Sequence, residues 1–537
     1  MPLPHHQNAV PLNVAQTLAR AFELHGQGRL AEAERLYSAI LAAKPNHVEA
    51  LHHFGLIKFA NGQFIEALQS IAAAMRSTAP SPEILLNYGL ALNALNRRTE
   101  ALESFDRAIK LKSKFSQAHN CRAVVLATLG RNEEALESYH KALAITPNDA
   151  VLHYNYGNVL QVLGRFNEAL ASHNRAVALR PDYAAAFCNR GVILHELRLY
   201  DEALASYDRA IALRPDIPEA HSNRGNTLRE LKRFDEALAS CDRALALRLD
   251  YADAYASRGN VLNELKRFDE ALTSYNRAID LRPDHAMAYS NRGATLHALK
   301  RFDEALASHD RALALRPDYA EALSNRGATL SELKQYSQAL ANYDRALALQ
   351  PALPAVHWNL ATLRLLTGDF ERGWAEYEWR WKKDSLARSM RDFSQPLWLG
   401  GDDIGGKTIL LHSEQGFGDT IQFCRYVPLV AARCARVVLE VEPPLQRLMA
   451  TLAGAAHVVT KTGPLPDFDL HCPLLSLPLA FGTTLATIPS SGPYLRAPLQ
   501  NLADWEMRLG EKRRPRIGLV WSGNAAHQRD AERSIDL

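Results

Sequence analysis

FCNRGVILHELRLYDEALASYDRAIALRPD, residues 187–216, returns almost unchanged as YSNRGATLHALKRFDEALASHDRALALRPD, residues 289–318. Their glycines, Gly191 and Gly293, stand three periods of 34 residues apart. The same register runs through Gly55, Gly89, Gly157, Gly225, Gly259 and Gly327, with Ala21, Ala123 and Ala361 filling the slot elsewhere. That gives eleven units between Val14 and Asp384. A small residue in this slot lets two antiparallel helices approach closely. The second helix of the unit at 187–216 carries Ala203, Leu204, Tyr207, Ala210 and Ile211 on one stripe at helical spacing. Asp201 and Glu202 fall in its first turn, where the helix dipole favours acid. Pro181, Pro215, Pro283, Pro317 and Pro351 mark the break before the next unit, and Leu249 and Ser113 replace that proline in two others. No unit can bury its stripe alone, so neighbours must stack.

The period, the small slot, the alanine twelve residues later and the closing proline resemble the tetratricopeptide repeat, or TPR. The resemblance implies a mainly α fold, a right-handed superhelical solenoid over residues 14–384 that binds a protein or peptide in its concave groove, after a tail of residues 1–13. Two residues before the small slot stands asparagine, at Asn87, Asn155, Asn189, Asn223, Asn291, Asn325 and Asn359. In TPR proteins this position faces the groove, and a row of amides there could grip an extended backbone, since each offers donors and an acceptor. It resembles the asparagine ladder of O-GlcNAc transferases. The alternative is that duplication carried an inert surface asparagine along. Arg190, Arg224, Arg258, Arg292 and Arg326 occupy a slot where the repeat prefers leucine. They form either a basic stripe or pairs with neighbouring carboxylates, and pairing is the expected outcome.

The last unit changes character. GDFERGWAEYEWRWKKD loads Trp374, Tyr377, Trp379 and Trp381 into the second helix. That is expected of a cap docked on another domain, with a sugar-stacking surface as the other reading. Residues 385–406, with Pro396 and two glycine pairs, read as a linker. From Lys407 the period changes. KTILLHS, ARVVLEVEP, HVVTK and DFDLHCPLL read as strands alternating with helical segments, a parallel α/β domain of Rossmann type over 407–512.

LLHSEQGFGDTIQFCRY (410–426), the tryptophan and glycines before it, and IGLVWSGNAAH (517–527) together resemble the sugar transferases that bacteria attach to TPR arrays. Their catalytic part is similar to heptosyltransferases of the GT-B fold, with two Rossmann lobes facing a cleft. The resemblance implies an inverting glycosyltransferase with a nucleotide sugar as substrate and a protein as acceptor. Asp419 is then the catalytic base, taking a proton from the acceptor hydroxyl. Glu414, Gln415, Gly416 and Gly418 form the acceptor or anion loop, with the helix amides offered to a phosphate. Ser522, Gly523 and Asn524 form the donor-side loop. Asp419 as a helix cap is the competing reading. His412, His471, His527, Arg529 and Arg533 are secondary candidates. Residues 513–537 hold only the first strand and turn of a second lobe, so the chain as given is expected to turn over poorly. A non-catalytic TPR adaptor with a vestigial α/β part is the alternative.

A net charge of +3 gives no argument for nucleic acid. The six cysteines form no CxxC pair, so reduced thiols are expected in a cytoplasmic protein, with no metal and no cofactor. No run of eighteen apolar residues spans a membrane.

Overall fold

A computed structural model describes residues 13–77, 79–382, 391–490, 492–497 and 499–510. The chain divides into two compact units, Met1–Asn291 and Arg292–Leu537.

The first unit is built of helical hairpins. In each, a helix of 13 residues, such as Ala184–Glu196, is followed by one of 14, such as Tyr200–Leu213. The turn between them closes as a Schellman motif: Leu199 N–H donates to the Leu194 carbonyl, and Arg198 N–H to that of His195. Its central residue is left-handed. Gly28, Gly62, Gly130 and Gly164 take this conformation freely, whereas Asn96, Arg198, Lys232 and Lys266 adopt it at φ of 58–60°. Packing of the hairpin explains the small slot. A Cβ on Gly191 would lie 2.6 Å from the ring of Tyr207, and one on Gly259 2.6 Å from that of Tyr275. The stripe on Tyr200–Leu213 is buried as the spacing predicts, at Ala203, Leu204, Tyr207 and Ala210. In two hairpins the ring opposite the glycine is an imidazole. His173 faces Gly157 in this unit, and His309 faces Gly293 in the other.

The second unit continues with hairpins up to the helix Phe370–Tyr377 and the 3-10 turn Glu378–Lys382. Its turns place Lys300, Lys334 and Gly368 in the left-handed slot. A four-stranded parallel sheet follows: β1 (Thr408–His412), β2 (Arg436–Val441), β3 (His457–Thr460) and β4 (Leu470–Pro473), in the order β3-β2-β1-β4. The four apolar runs read from the sequence are these strands.

One face of the sheet, with Ile409, Leu411, Val437, Leu439, Val441 and Cys472, packs on Tyr426, Val427, Val430 and Met449. The connections are shorter than the helical spacing predicts. The segment after β1 breaks into a helix Phe417–Phe423, a 3-10 turn and a helix Val427–Ala431 carrying Pro428 in its first turn. The end of the expected linker is part of this domain. Trp398 is buried in the same core, and its backbone N–H donates to the His471 carbonyl at 2.8 Å, forming a parallel bridge at Leu397 beside β4.

Among the described residues no helix is long and apolar enough to cross a membrane.

Candidate functional site

All seven asparagines of the row are half-buried on the first helix of their hairpin. In the first unit three are held by the preceding repeat. The Asn87 amide nitrogen lies 2.8 Å from His52 Nε2. Asn189 Nδ2 donates to Asn158 Oδ1 at 2.7 Å and to the Tyr154 hydroxyl at 3.3 Å. Asn291 Nδ2 donates to Asn260 Oδ1 at 2.7 Å. The supporting residues sit 31 or 35 positions earlier, an offset that the 34-residue period makes readable but that sequence reasoning missed. At Asn223 the same two positions hold Val192 and Cys188, which offer no comparable acceptor. The side chains of Asn155 and Asn223 have no hydrogen-bond partner among the described residues. In the second unit, Asn325 is likewise without one, and Asn359 bonds the Tyr343 hydroxyl.

The arginines immediately after the row position are paired, not a basic stripe. Arg224 Nε lies 2.6 Å from Asp208, Arg258 Nε 2.7 Å from Asp242, and Arg326 Nε 2.7 Å from Asp310. Arg190 uses Asn174 in place of the aspartate. The other end of the guanidinium reaches forward to a serine on the next helix, Ser206 for Arg190 and Ser274 for Arg258. Arg190, Arg224 and Arg258 therefore each tie the second helices of two successive repeats together.

In the second unit the aromatic cap is a packed junction. Trp374 meets Phe423 edge-on at 6.1 Å, and Trp379 stacks on His357 at 3.7 Å. The Tyr377 hydroxyl accepts from Gln415 Nε2 at 3.3 Å. Beneath these rings lies a buried polar cluster. Arg380, fully shielded, bonds both carboxylate oxygens of Glu414 at 3.0 Å, Glu378 at 2.7 Å and Ser476 at 2.8 Å. Glu414 also accepts the Leu475 N–H at 3.1 Å. Burial pushes its carboxyl up to about 7, against the pull of the Arg380 guanidinium. Glu414, expected in an acceptor loop, thus has both oxygens committed to holding the last helical hairpin on the sheet.

The turn that follows is exposed at Gly416 and Gly418. Neither glycine is left-handed, and a Cβ on Gly418 would meet nothing. What glycine leaves open here is the space above the turn. Asp419, half-buried, accepts the Gly416 N–H at 3.1 Å and so caps its own helix. That helix has seven residues, and its own carboxylate occupies the start expected to hold a phosphate.

His412 and His471, from β1 and its neighbour β4, approach to 3.3 Å between Nε2 and Nδ1 on the face of the sheet away from the main core. Phe393 packs on both rings, and Arg391 pairs with Glu440 beside them. Burial drives the His412 imidazole down to about 3, so it is a neutral structural group. Ser522, Gly523, Asn524, His527, Arg529 and Arg533 lie outside the described residues. Among the described residues no cluster of His, Cys, Asp and Glu could hold a metal ion.

Family models of the tetratricopeptide repeat match residues 14–38, 54–114, 125–164, 148–216, 196–257, 259–300 and 284–352. None covers the α/β part. No curated protein sequence matches the chain. Similar solved structures include a tetratricopeptide repeat protein from Parabacteroides merdae, 19% identical over 47% of this chain and 98% of that one, with a TM-score of 0.41. YrrB, described as a TPR protein with an unusual peptide-binding site, is 26% identical over 34% of this chain and 95% of its own, at 0.28. The Cut9–Hcn1 hetero-tetramer of APC/C is 14% identical over 71% and 95%, at 0.43. The matched segments together span more than half of the sequence, and the chain belongs to the tetratricopeptide repeat proteins, whose repeats make it a protein-interaction scaffold.

Proposed function

We propose that each unit of this scaffold holds extended polypeptide by its backbone, through the asparagines of the row that the unit contains. The observation that carries this reading is the half-buried Asn155, Asn223 and Asn325, whose side chains are bonded to nothing among the described residues and so keep a donor pair and an acceptor for a ligand. Asn189, by contrast, spends its amide protons on Asn158 and Tyr154, which fixes the side chain and turns its carbonyl oxygen to acceptor use. Alternate residues of an extended chain present the N–H and C=O groups that such amides complete. The test is binding of peptides selected from a displayed random library. Replacing Asn155 and Asn223 by Ala disturbs no internal bond, so it should weaken binding by about fivefold to tenfold per residue. Unchanged affinity would refute the reading. The six unpaired cysteines fit a reducing, cytoplasmic compartment.

A second reading concerns the α/β part: sugar transfer from a nucleotide sugar to a hydroxyl of the bound protein. It is favoured by the parallel order β3-β2-β1-β4, the order of half a Rossmann fold, with Asp419 in the turn beyond the carboxyl end of β1. In this reading the acceptor oxygen attacks the anomeric carbon, its proton passes to Asp419, and the bond to the nucleotide diphosphate breaks. Glu414 is a positioning residue that anchors the turn through Arg380. Release of nucleotide from a panel of nucleotide sugars, abolished by Asp419→Asn, would support this. Absence of release, or release indifferent to that substitution, would remove it.

A further inference from the structure

Within the second unit, a cavity of about 530 Å³ opens beside the end of the asparagine row, lined among others by Ser331, Lys334, Tyr343, Trp358, Asn359 and Leu366. Trp358 is the unusual member. In the other repeats with a row asparagine its slot, immediately before that asparagine, holds Leu86, Tyr154, Cys188, Ser222, Ser290 and Ser324, and no other tryptophan. The indole is half-buried, and Tyr377 sets its plane, with ring centroids 5.2 Å apart and an angle of 32°. Leu366, at the end of the same helix and also on the wall, is 65% exposed. With Glu332 and His297 also in its wall, the cavity joins a flat apolar surface to hydroxyl, amide, ammonium, carboxylate and imidazole groups.

We propose that this cavity receives one aromatic side chain, tyrosine best of all, from the polypeptide held by the asparagine row. The inference rests on the groove reading, because Asn359 belongs both to the row and to the cavity wall. A backbone gripped at Asn359 projects its next side chain beside Trp358. A phenol satisfies both kinds of wall at once: its ring lies on the indole, and its hydroxyl reaches the polar rim. An aliphatic side chain would leave the polar groups facing apolar surface. The same position sits next to the junction, since Tyr377, which orients Trp358, also accepts the hydrogen bond of Gln415 in the turn before Asp419.

The experiment is selection of a phage-displayed random peptide library against the full chain and two variants. Trp358→Ser places in the slot the residue that three other repeats carry there, so the hairpin keeps its fold. Wild type should enrich an aromatic at one fixed position. W358S should still recover peptides but lose that preference, and a peptide selected on wild type should bind it about tenfold more weakly. The variant N325A, in the same unit as the cavity, should recover fewer peptides while keeping the aromatic preference. Peptides recovered on wild type without a fixed aromatic, or the same preference on W358S, would overturn the cavity assignment and leave the groove reading standing. No peptide recovered from wild type would overturn both. A glycan array that labels wild type and not W358S would assign the cavity to a sugar and overturn the proposal.

Discussion

Protonation of two buried imidazoles should loosen the array below neutral pH. His173 and His309 are each fully buried opposite a glycine, and neither ring nitrogen of either has a hydrogen-bond partner among the described residues. Burial lowers both to about 4, from an ordinary 6.5. The folded value lies below the unfolded one, so below pH 6.5 the opened hairpin binds a proton that the closed one refuses. Stability therefore falls as pH drops through 6.5 and levels off below about 4. At about 1.4 kcal/mol per pH unit, each histidine removes roughly 2 kcal/mol of closing free energy by about pH 5. Repeat arrays open locally, so the loss should appear in the hairpin that carries the histidine.

Amide hydrogen exchange, corrected for the intrinsic pH dependence of the chemistry, reads this directly. Amides of 150–179 and 286–315 should lose roughly 30-fold in protection between neutral pH and about pH 5. The hairpin with Tyr275 opposite Gly259 is the internal control. His173→Tyr and His309→Tyr install the ring that Gly191 and Gly259 already accommodate. Each should abolish the acid sensitivity of its own hairpin. Equal pH dependence in variant and wild type would refute the reasoning.

Other consequences follow from the same structure. Lys232, Lys266, Lys300 and Lys334 adopt a left-handed conformation that glycine fills in other repeats, so each Lys→Gly change should stabilise its hairpin by about 1 kcal/mol in chemical denaturation. Arg380→Met leaves Glu414 and Glu378 buried without their cation and should cost about 3–5 kcal/mol in the second unit. Tryptophan fluorescence will report that loss selectively, because all seven tryptophans lie beyond residue 291.

What the sequence reveals depends on whether the partners share its period. The small slot, the buried stripe and the turn prolines recur every 34 residues, so eleven hairpins could be read from spacing alone. The arginine pairing was legible for the same reason, since Asp208, Asp242 and Asp310 each precede their arginine by 16 residues. The left-handed lysines were not, because lysine carries no mark of positive φ. They stand out only when aligned with Gly130 or Gly164. In the α/β part, apolar runs disclosed the strands, whereas the bridge at Leu397 is too short to carry a period. The Glu414 contact was not legible because its partner, Arg380, lies in the preceding helical cap, and a buried ion pair between two folds leaves no pattern in either. The His412–His471 approach depends on β4 lying beside β1, which follows from sheet order and not from either strand.

The central claim is that the asparagine row holds backbone and not side chains, and N-methylation of a bound peptide tests it most directly. A library-selected peptide, methylated at one backbone nitrogen at a time, should lose about tenfold in affinity at alternate positions, with the loss absent in N155A/N223A for the nitrogens those residues hold. Uniform tolerance of N-methylation, with affinity set by side chains alone, would contradict the account.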